Sequence, residues 1–278
     1  MGTPHIQTDV ISKEEIRIKV PIDYSNPTEK GELHGHIYRS RNTPPKPPCI
    51  ILLHGFGGCY DDITHNQIGC ALSLAGYALL GFNQRTSGKA TIGSFKKNRM
   101  NEVLNAYHDI TSVIDYVVNR NDLDSEKIAI IGFSFGGEVA LGYPIKDPRV
   151  KAIIACCSAR GFSELFQTAK KHPIISMQRL FYTIVKRNVY FTDEDLVKYK
   201  DQLSVTTFAD PRVDYSNKIY LSHCADDAIV PIENFEQNVK TFRLPADNLL
   251  KFQYGNHPFN GMHTVLLTQA LKWLEMRL

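Results

Sequence analysis

The chain has 278 residues, 43% of them hydrophobic and 22% charged, with 32 Lys+Arg against 29 Asp+Glu for a formal net charge of +3. That is an ordinary globular composition, which excludes a disordered or collagen-like chain and allows one or two domains. The basic residues are scattered, and the doublets Lys96-Lys97 and Lys170-Lys171 are isolated, so there is no basic stripe of the kind that binds nucleic acid or an anionic membrane.

Alternating segments open the chain. Residues 14–20 place Ile16, Ile18 and Val20 on one strand face, residues 32–38 form a second strand, and 21–31 form the turn between them. The proline-rich stretch 43–48 is a stiff extended connection. After it the pattern becomes that of strands buried on both faces, with the apolar run 49–53, a helix over 64–75, a strand over 77–82 and a long amphipathic helix over 101–119. In that helix Val103, Tyr107, Ile110, Ile114 and Val117 fall at helical spacing. A strand over 127–131 leads into a glycine-rich turn and a helix from Ser134, followed by strands over 150–157, 218–224 and 248–254 and helices over 232–240 and 264–277. Strands alternating with helices predict a mostly parallel sheet covered by helices on both faces.

No buried strand is predicted between residues 158 and 215, where short amphipathic helical stretches occur instead. We expect residues 1–158 and 214–278 to form one core, and 159–213 to form an inserted helical cap. The cap aromatics Phe162, Phe166, Phe181 and Tyr182 are candidates to line a substrate pocket, although any one of them could simply pack the cap onto the core. No apolar run approaches the ~18 residues that cross a bilayer, and the N-terminus lacks the pattern of a secretory signal, so an intracellular location is expected. The six cysteines form no Cys-x-x-Cys pair, and Cys49, Cys156 and Cys157 read as small buried hydrophobes.

The sharpest chemical signal is Gly132-Phe133-Ser134-Phe135-Gly136-Gly137, directly after an apolar strand and before a helix. A serine in so sharp a strand-to-helix turn is held clear of the sheet in a strained conformation, and the flanking glycines let strand and helix approach. Ser134 is therefore the candidate nucleophile. His54-Gly55-Phe56-Gly57-Gly58 follows the strand over 49–53. Acyl transfer needs fixed N–H donors where the oxyanion forms, and this loop with the residue after the nucleophile assigns them to Phe56 and Phe135. A phosphate loop would need a Gly-Lys-Ser/Thr ending or a Gly-x-Gly-x-x-Gly opening, and neither is present. His34 and His36, two apart on an early strand, make no metal motif. Neither a metal nor a cofactor is expected.

With these motifs in this order the chain resembles serine hydrolases of the α/β-hydrolase fold over about residues 31–278. The resemblance implies an eight-stranded, mostly parallel sheet with an antiparallel N-terminal strand, flanked by helices. It also implies the order nucleophile, acid, histidine. The acid belongs in the loop after the strand over 218–224, and Asp227-Ala228-Ile229-Val230-Pro231 matches the family's spacing to Val-Pro. Asp227 is thus the acid and Asp226 a brace for the turn. His257, in a Gly-x-His turn after the last strand, is preferred to His263 at the start of the final helix. One loop departs from the family: Asn83-Gln84-Arg85-Thr86-Ser87-Gly88 stands where relatives carry Asp-x-Arg-Gly-x-Gly. Within the fold the chain is most similar to carboxylesterases and feruloyl-esterase-like enzymes, which implies a small-molecule ester as substrate. A peptidase, an acyl-peptide hydrolase or a thioesterase would use the same residues, and a binding protein that kept the fold is a further alternative. The sequence does not specify the oligomeric state.

Overall fold

The strands are β1 (Ile11–Asp23), β2 (Asn26–Ser40), β3 (Pro48–Leu53), β4 (Ala78–Phe82), β5 (Asp124–Phe133), β6 (Val150–Cys156), β7 (Ile219–Cys224) and β8 (Leu249–Phe252). The helices are α1 (Ile63–Leu74), α2 (Arg99–Val118), α3 (Phe135–Ala140), α4 (Asp193–Lys198), α5 (Val205–Phe208), α6 (Ile232–Phe242) and α7 (His263–Glu275). They come from a computed structural model that describes residues 10–90, 92, 99–165 and 192–278.

The strands form one sheet in the order β1-β2-β4-β3-β5-β6-β7-β8. β1 and β2 pair antiparallel, as do β2 and β4, and every pairing from β4 onward is parallel. This is the eight-stranded, mostly parallel sheet the sequence predicts. Side chains alternate between its faces with the period of two that a pleated strand imposes. Cys49, Ile51 and Leu53 pack with α2, α3 and α6, whereas Ile50 and Leu52 pack with α1 and α7. Both sets are fully buried, which is why β3 reads as an unbroken apolar run. Leu52→Ala would cost about 2–5 kcal/mol by leaving a cavity between sheet and helix. The five spaced apolar residues of α2 are all buried.

The N-terminal hairpin is longer than the sequence suggests. Rather than a turn over 21–31, Pro21 pairs with Lys30 and Asp23 with Asn26, and the tip closes when Ser25 N–H donates to the Asp23 carboxylate at 2.8 Å. β2 runs against β4, so this tip stands at the edge where the parallel strands end. The loops after β3, β5, β6, β7 and β8 reach the same edge, and the chain order reverses around β3. Ligands of open α/β sheets bind outside such strand ends.

Between β6 and β7 the described residues include α4, capped by Thr192 and Asp195 in a reciprocal capping box, and α5. The two flanks of this insertion meet where Val205 N–H donates to Arg160 O at 2.8 Å. Phe166, Phe181 and Tyr182, assigned to a substrate pocket from sequence, lie outside the described residues.

Candidate active site

Ser134 connects β5 to α3 with φ 54° and ψ −120°, a backbone region that a residue with a Cβ occupies only at a cost of about 1–3 kcal/mol. The surroundings hold it there. Its N–H donates to Cys156 O at the end of β6 at 2.8 Å, and its own carbonyl accepts from Gly137 N–H at 2.9 Å. Tight packing explains the glycines, because a Cβ on Gly132 would overlap the Gly136 carbonyl and one on Gly136 would overlap the Leu53 carbonyl. The helix that follows is thereby pressed against both β5 and the end of β3.

The loop after β3 lies beside this turn, and a Cβ on Gly55 would stand 3.3 Å from Ser134 Cβ. The rings of Phe56 and Phe135 meet edge to face at 5.8 Å. Among the described residues, neither backbone N–H of these two phenylalanines donates a hydrogen bond. The departed loop 83–88 supports this arrangement from outside. Gln84 N–H donates to His54 Nε2 at 2.9 Å and its side-chain amide donates to His54 O at 2.6 Å. His54 must then carry its proton on Nδ1, which donates to Gly55 O at 2.7 Å. Gly57 N–H adds a bond to Thr86 O at 2.9 Å.

Asp227 follows β7 and is 5% exposed. One carboxylate oxygen, Oδ1, accepts the N–H groups of Ile229 and Val230 at 2.9 and 2.8 Å, which aims the other oxygen outward. That oxygen, Oδ2, accepts from His257 Nδ1 at 2.8 Å. Asp226 points elsewhere and accepts the N–H groups of Gly255 and Asn256 at 3.2 and 2.8 Å, so it ties down the loop that carries His257. The same loop passes so close to β7 that a Cβ on Gly255, where φ is 142°, would come within 2.7 Å of Cys224 Sγ. Phe259, 0% exposed, anchors it from below. His263 instead faces a small apolar cavity with Phe133 and Leu266.

The two halves of the site meet at the end of β6. Cys156 O holds Ser134, and the next side chain, Cys157 (φ 43°), faces His257. Ser134 and His257 are not hydrogen-bonded in the structure, and in unliganded enzymes such bonds commonly tighten only with substrate. Burial opposes charge on His257, but the neighbouring thiol and carboxylate outweigh it, and the imidazole is more basic than usual. The thiol is itself pushed up by burial. Cys157 Sγ, an Asp227 oxygen and a His257 nitrogen lie within 4.8 Å of one another. The imidazole and carboxylate of this set are already joined at 2.8 Å, closer than the roughly 3.3 Å expected between two ligands of one tetrahedral zinc.

Phe162, a further pocket candidate, is 3% exposed. Its ring lies against Phe56 at 5.5 Å and Phe135 at 5.8 Å, beside the two candidate donors. The sequence reading missed three members of this neighbourhood: Gln84, Cys157 and Glu138. For Glu138 a signal existed, since a glutamate four residues after Ser134 falls on a short helix between buried strands. Cys157 had none beyond its apolar run.

Comparison with known proteins is consistent with this geometry. The family described as alpha/beta hydrolase fold matches residues 48–198. YtaP of Bacillus subtilis (strain 168) is 27% identical over 183 residues, 57% of this chain and 61% of that protein, so the alignment spans less than two thirds of the relative. The esterase YjfP of Escherichia coli (strain K12) is 23% identical over 209 residues, covering 72% of this chain and 76% of YjfP. Among solved structures, Est1E of Butyrivibrio proteoclasticus with bound ferulic acid superposes with a TM-score of 0.68 at 17% identity, over 88% of this chain and 95% of Est1E. An acetyl xylan esterase from Paenibacillus sp. R4 gives 0.71 at 16%, over 99% and 87%. At such identities the structural likeness speaks for the fold alone. Because the family match covers more than half of the sequence and the sheet order agrees, the chain belongs to the alpha/beta hydrolase fold family.

Proposed function

We propose that the chain is a serine hydrolase of carboxylic esters, acting through Ser134, His257 and Asp227. The observation that carries the reading is the strained Ser134 turn at the same sheet edge as the Asp227–His257 pair. His257 takes the Ser134 proton as Oγ attacks the acyl carbon, and Asp227 holds the imidazole in the tautomer with Nδ1 protonated and stabilises the imidazolium. The N–H groups of Phe56 and Phe135 receive the oxyanion. His257 then protonates the departing alcohol, and a water activated by the same imidazole releases the acid from the acyl-enzyme. Phe56, the partly exposed ring of the cluster it forms with the buried Phe135 and Phe162, is the candidate contact for the acyl group, and a feruloyl-esterase-like preference is the substrate class proposed. Most of the expected cap, residues 166–191, lies outside the described residues.

The test is a panel of p-nitrophenyl esters from acetate to palmitate with methyl ferulate, a thioester and a peptide amide. Ester turnover is expected to lead the panel, and Ser134→Ala should lower kcat by ~10⁴ or more while abolishing fluorophosphonate labelling. Undiminished turnover in that variant would sink the mechanism, and faster amide cleavage would move the substrate class to peptides.

A further inference from the structure

Glu138 lies four residues after Ser134, on α3, and is 2% exposed. Two groups donate to its carboxyl: the Tyr107 hydroxyl from α2, at 3.1 Å, and the backbone N–H of Phe162 at the start of the insertion. Both are attached to the same aromatic cluster. The Tyr107 ring meets Phe135 at 5.8 Å, and the Phe162 ring meets Phe135 at 5.8 Å and Phe56 at 5.5 Å. One buried carboxyl thus joins α2, α3 and the insertion around the two phenylalanines proposed as oxyanion donors.

We propose that Glu138 is a positioning residue for the oxyanion hole, holding Tyr107 and Phe162 so that their rings fix Phe135 and Phe56. This rests on the assignment of those two N–H groups as oxyanion donors. Removing one donor outright costs about 10²–10³ in kcat, and loosening both by a fraction of an ångström costs part of that.

The charge environment makes the tie sensitive to pH. Among the described residues, the titratable groups facing Glu138 are Tyr107 from α2 and Glu164 from the insertion. Glu164 turns toward Arg160 and Lys200, at 3.6 and 3.9 Å. Lys146, from the turn that packs on α3, sits over the Phe208 ring at 5.9 Å. Among the described residues no cation is paired with Glu138. Burial first, then Glu164, push the carboxyl up to about 8 from an ordinary value of 4.5. It is therefore neutral at pH 7 and, above about pH 8, becomes a buried charge with no cation paired to it among the described residues. A folded-state value raised in this way makes stability fall as pH rises from the unfolded value through the folded one.

Steady-state kinetics on a p-nitrophenyl ester from pH 6 to 10, with thermal melts, test the proposal in wild type, Ser134→Ala, Glu138→Gln and Glu138→Ala. Glu138→Ala should lose about tenfold in kcat with KM changed less than about twofold. Glu138→Gln keeps the shape and both bonds, so at pH 7 it should stay within about threefold of wild type. The glutamine cannot ionise, so wild-type kcat should fall above about pH 8 and its melting temperature should drop relative to Glu138→Gln between pH 5 and 8. If Glu138→Ala does not fold, the Glu138→Gln profile alone decides. A wild-type kcat in Glu138→Ala, or the same alkaline fall in Glu138→Gln, overturns the proposal while Ser134→Ala still reports an intact mechanism. A wild type without ester turnover overturns the proposed function and this inference with it.

Discussion

Asp109 and Asp227 are both buried carboxylates, 1% and 5% exposed, and they are used in opposite ways. Both oxygens of Asp109 are occupied by Arg85, with Nε at 2.7 Å and Nη2 at 2.9 Å. The rest of that guanidinium, 0% exposed, binds the carbonyls of Pro21 and Ile22. The pair is saturated and pins the N-terminal hairpin to α2. Asp227 spends one oxygen on backbone N–H groups and offers the other to an imidazole whose side chain is still 16% exposed. The comparison teaches that burial alone does not mark a functional acid. What sets Asp227 apart is that it is held rigidly on one side and left open on the other toward a group that solvent can reach, the arrangement on which the proposed mechanism rests.

Asp227→Asn is the largest expected break in this comparison. Asparagine keeps an oxygen for Ile229 and Val230, so the turn should survive, but the imidazole is held in the wrong tautomer. We expect kcat/KM to fall by roughly 10⁴, with the acid limb of the residual rate profile moving to lower pH because Asp227 no longer makes His257 more basic. A large loss of melting temperature without a change in rate per folded molecule would put Asp227 in the same class as Asp109. Next in size is Asp109→Ala, which strands a buried guanidinium and should cost about 3–5 kcal/mol in denaturant unfolding. The surviving folded fraction should keep its kcat within a few-fold; a 10⁴-fold rate loss would erase the distinction. The smallest effect is Gln84→Ala. Removing the two bonds that hold His54 should lower kcat by about tenfold through the Phe56 N–H, with stability down by only about 1–2 kcal/mol. An unchanged kcat would show that the loop at 83–88 supports the fold and not the site.

Much of this was legible in the chain before folding was considered. The strand-turn-helix around Ser134 is local: glycines at 132, 136 and 137 are required wherever a strand and helix touch so closely. The glycine loop after β3 and the Asp-Asp step after β7 are also read from neighbours in sequence. The choice between Asp226 and Asp227 is different in kind. Spacing favours Asp227, but what separates the two is direction, since one accepts Gly255 and Asn256 while the other meets His257. The turn placed over 21–31 was too long because pairing partners, not residue types, extend a strand through polar sequence. Arg85 lies in the loop that departs from the family pattern, and no signal in sequence points to its partners. Its partners stand 24 positions away at Asp109 and more than 60 away at Pro21 and Ile22.

By itself the sequence determined the alternating order of strands and helices, the strained serine turn and the set of acids and histidines from which a site could be assembled. These depend on backbone conformation and hydrophobic period, which act over a few residues. Only the tertiary structure decided which acid faces which histidine, that Gln84 braces the glycine loop, that Cys157 stands beside His257, and that Glu138 is buried with no cation paired to it among the described residues. Those facts depend on strands brought together across the sheet, where burial and electrostatic partnership are set by residues far apart in the chain.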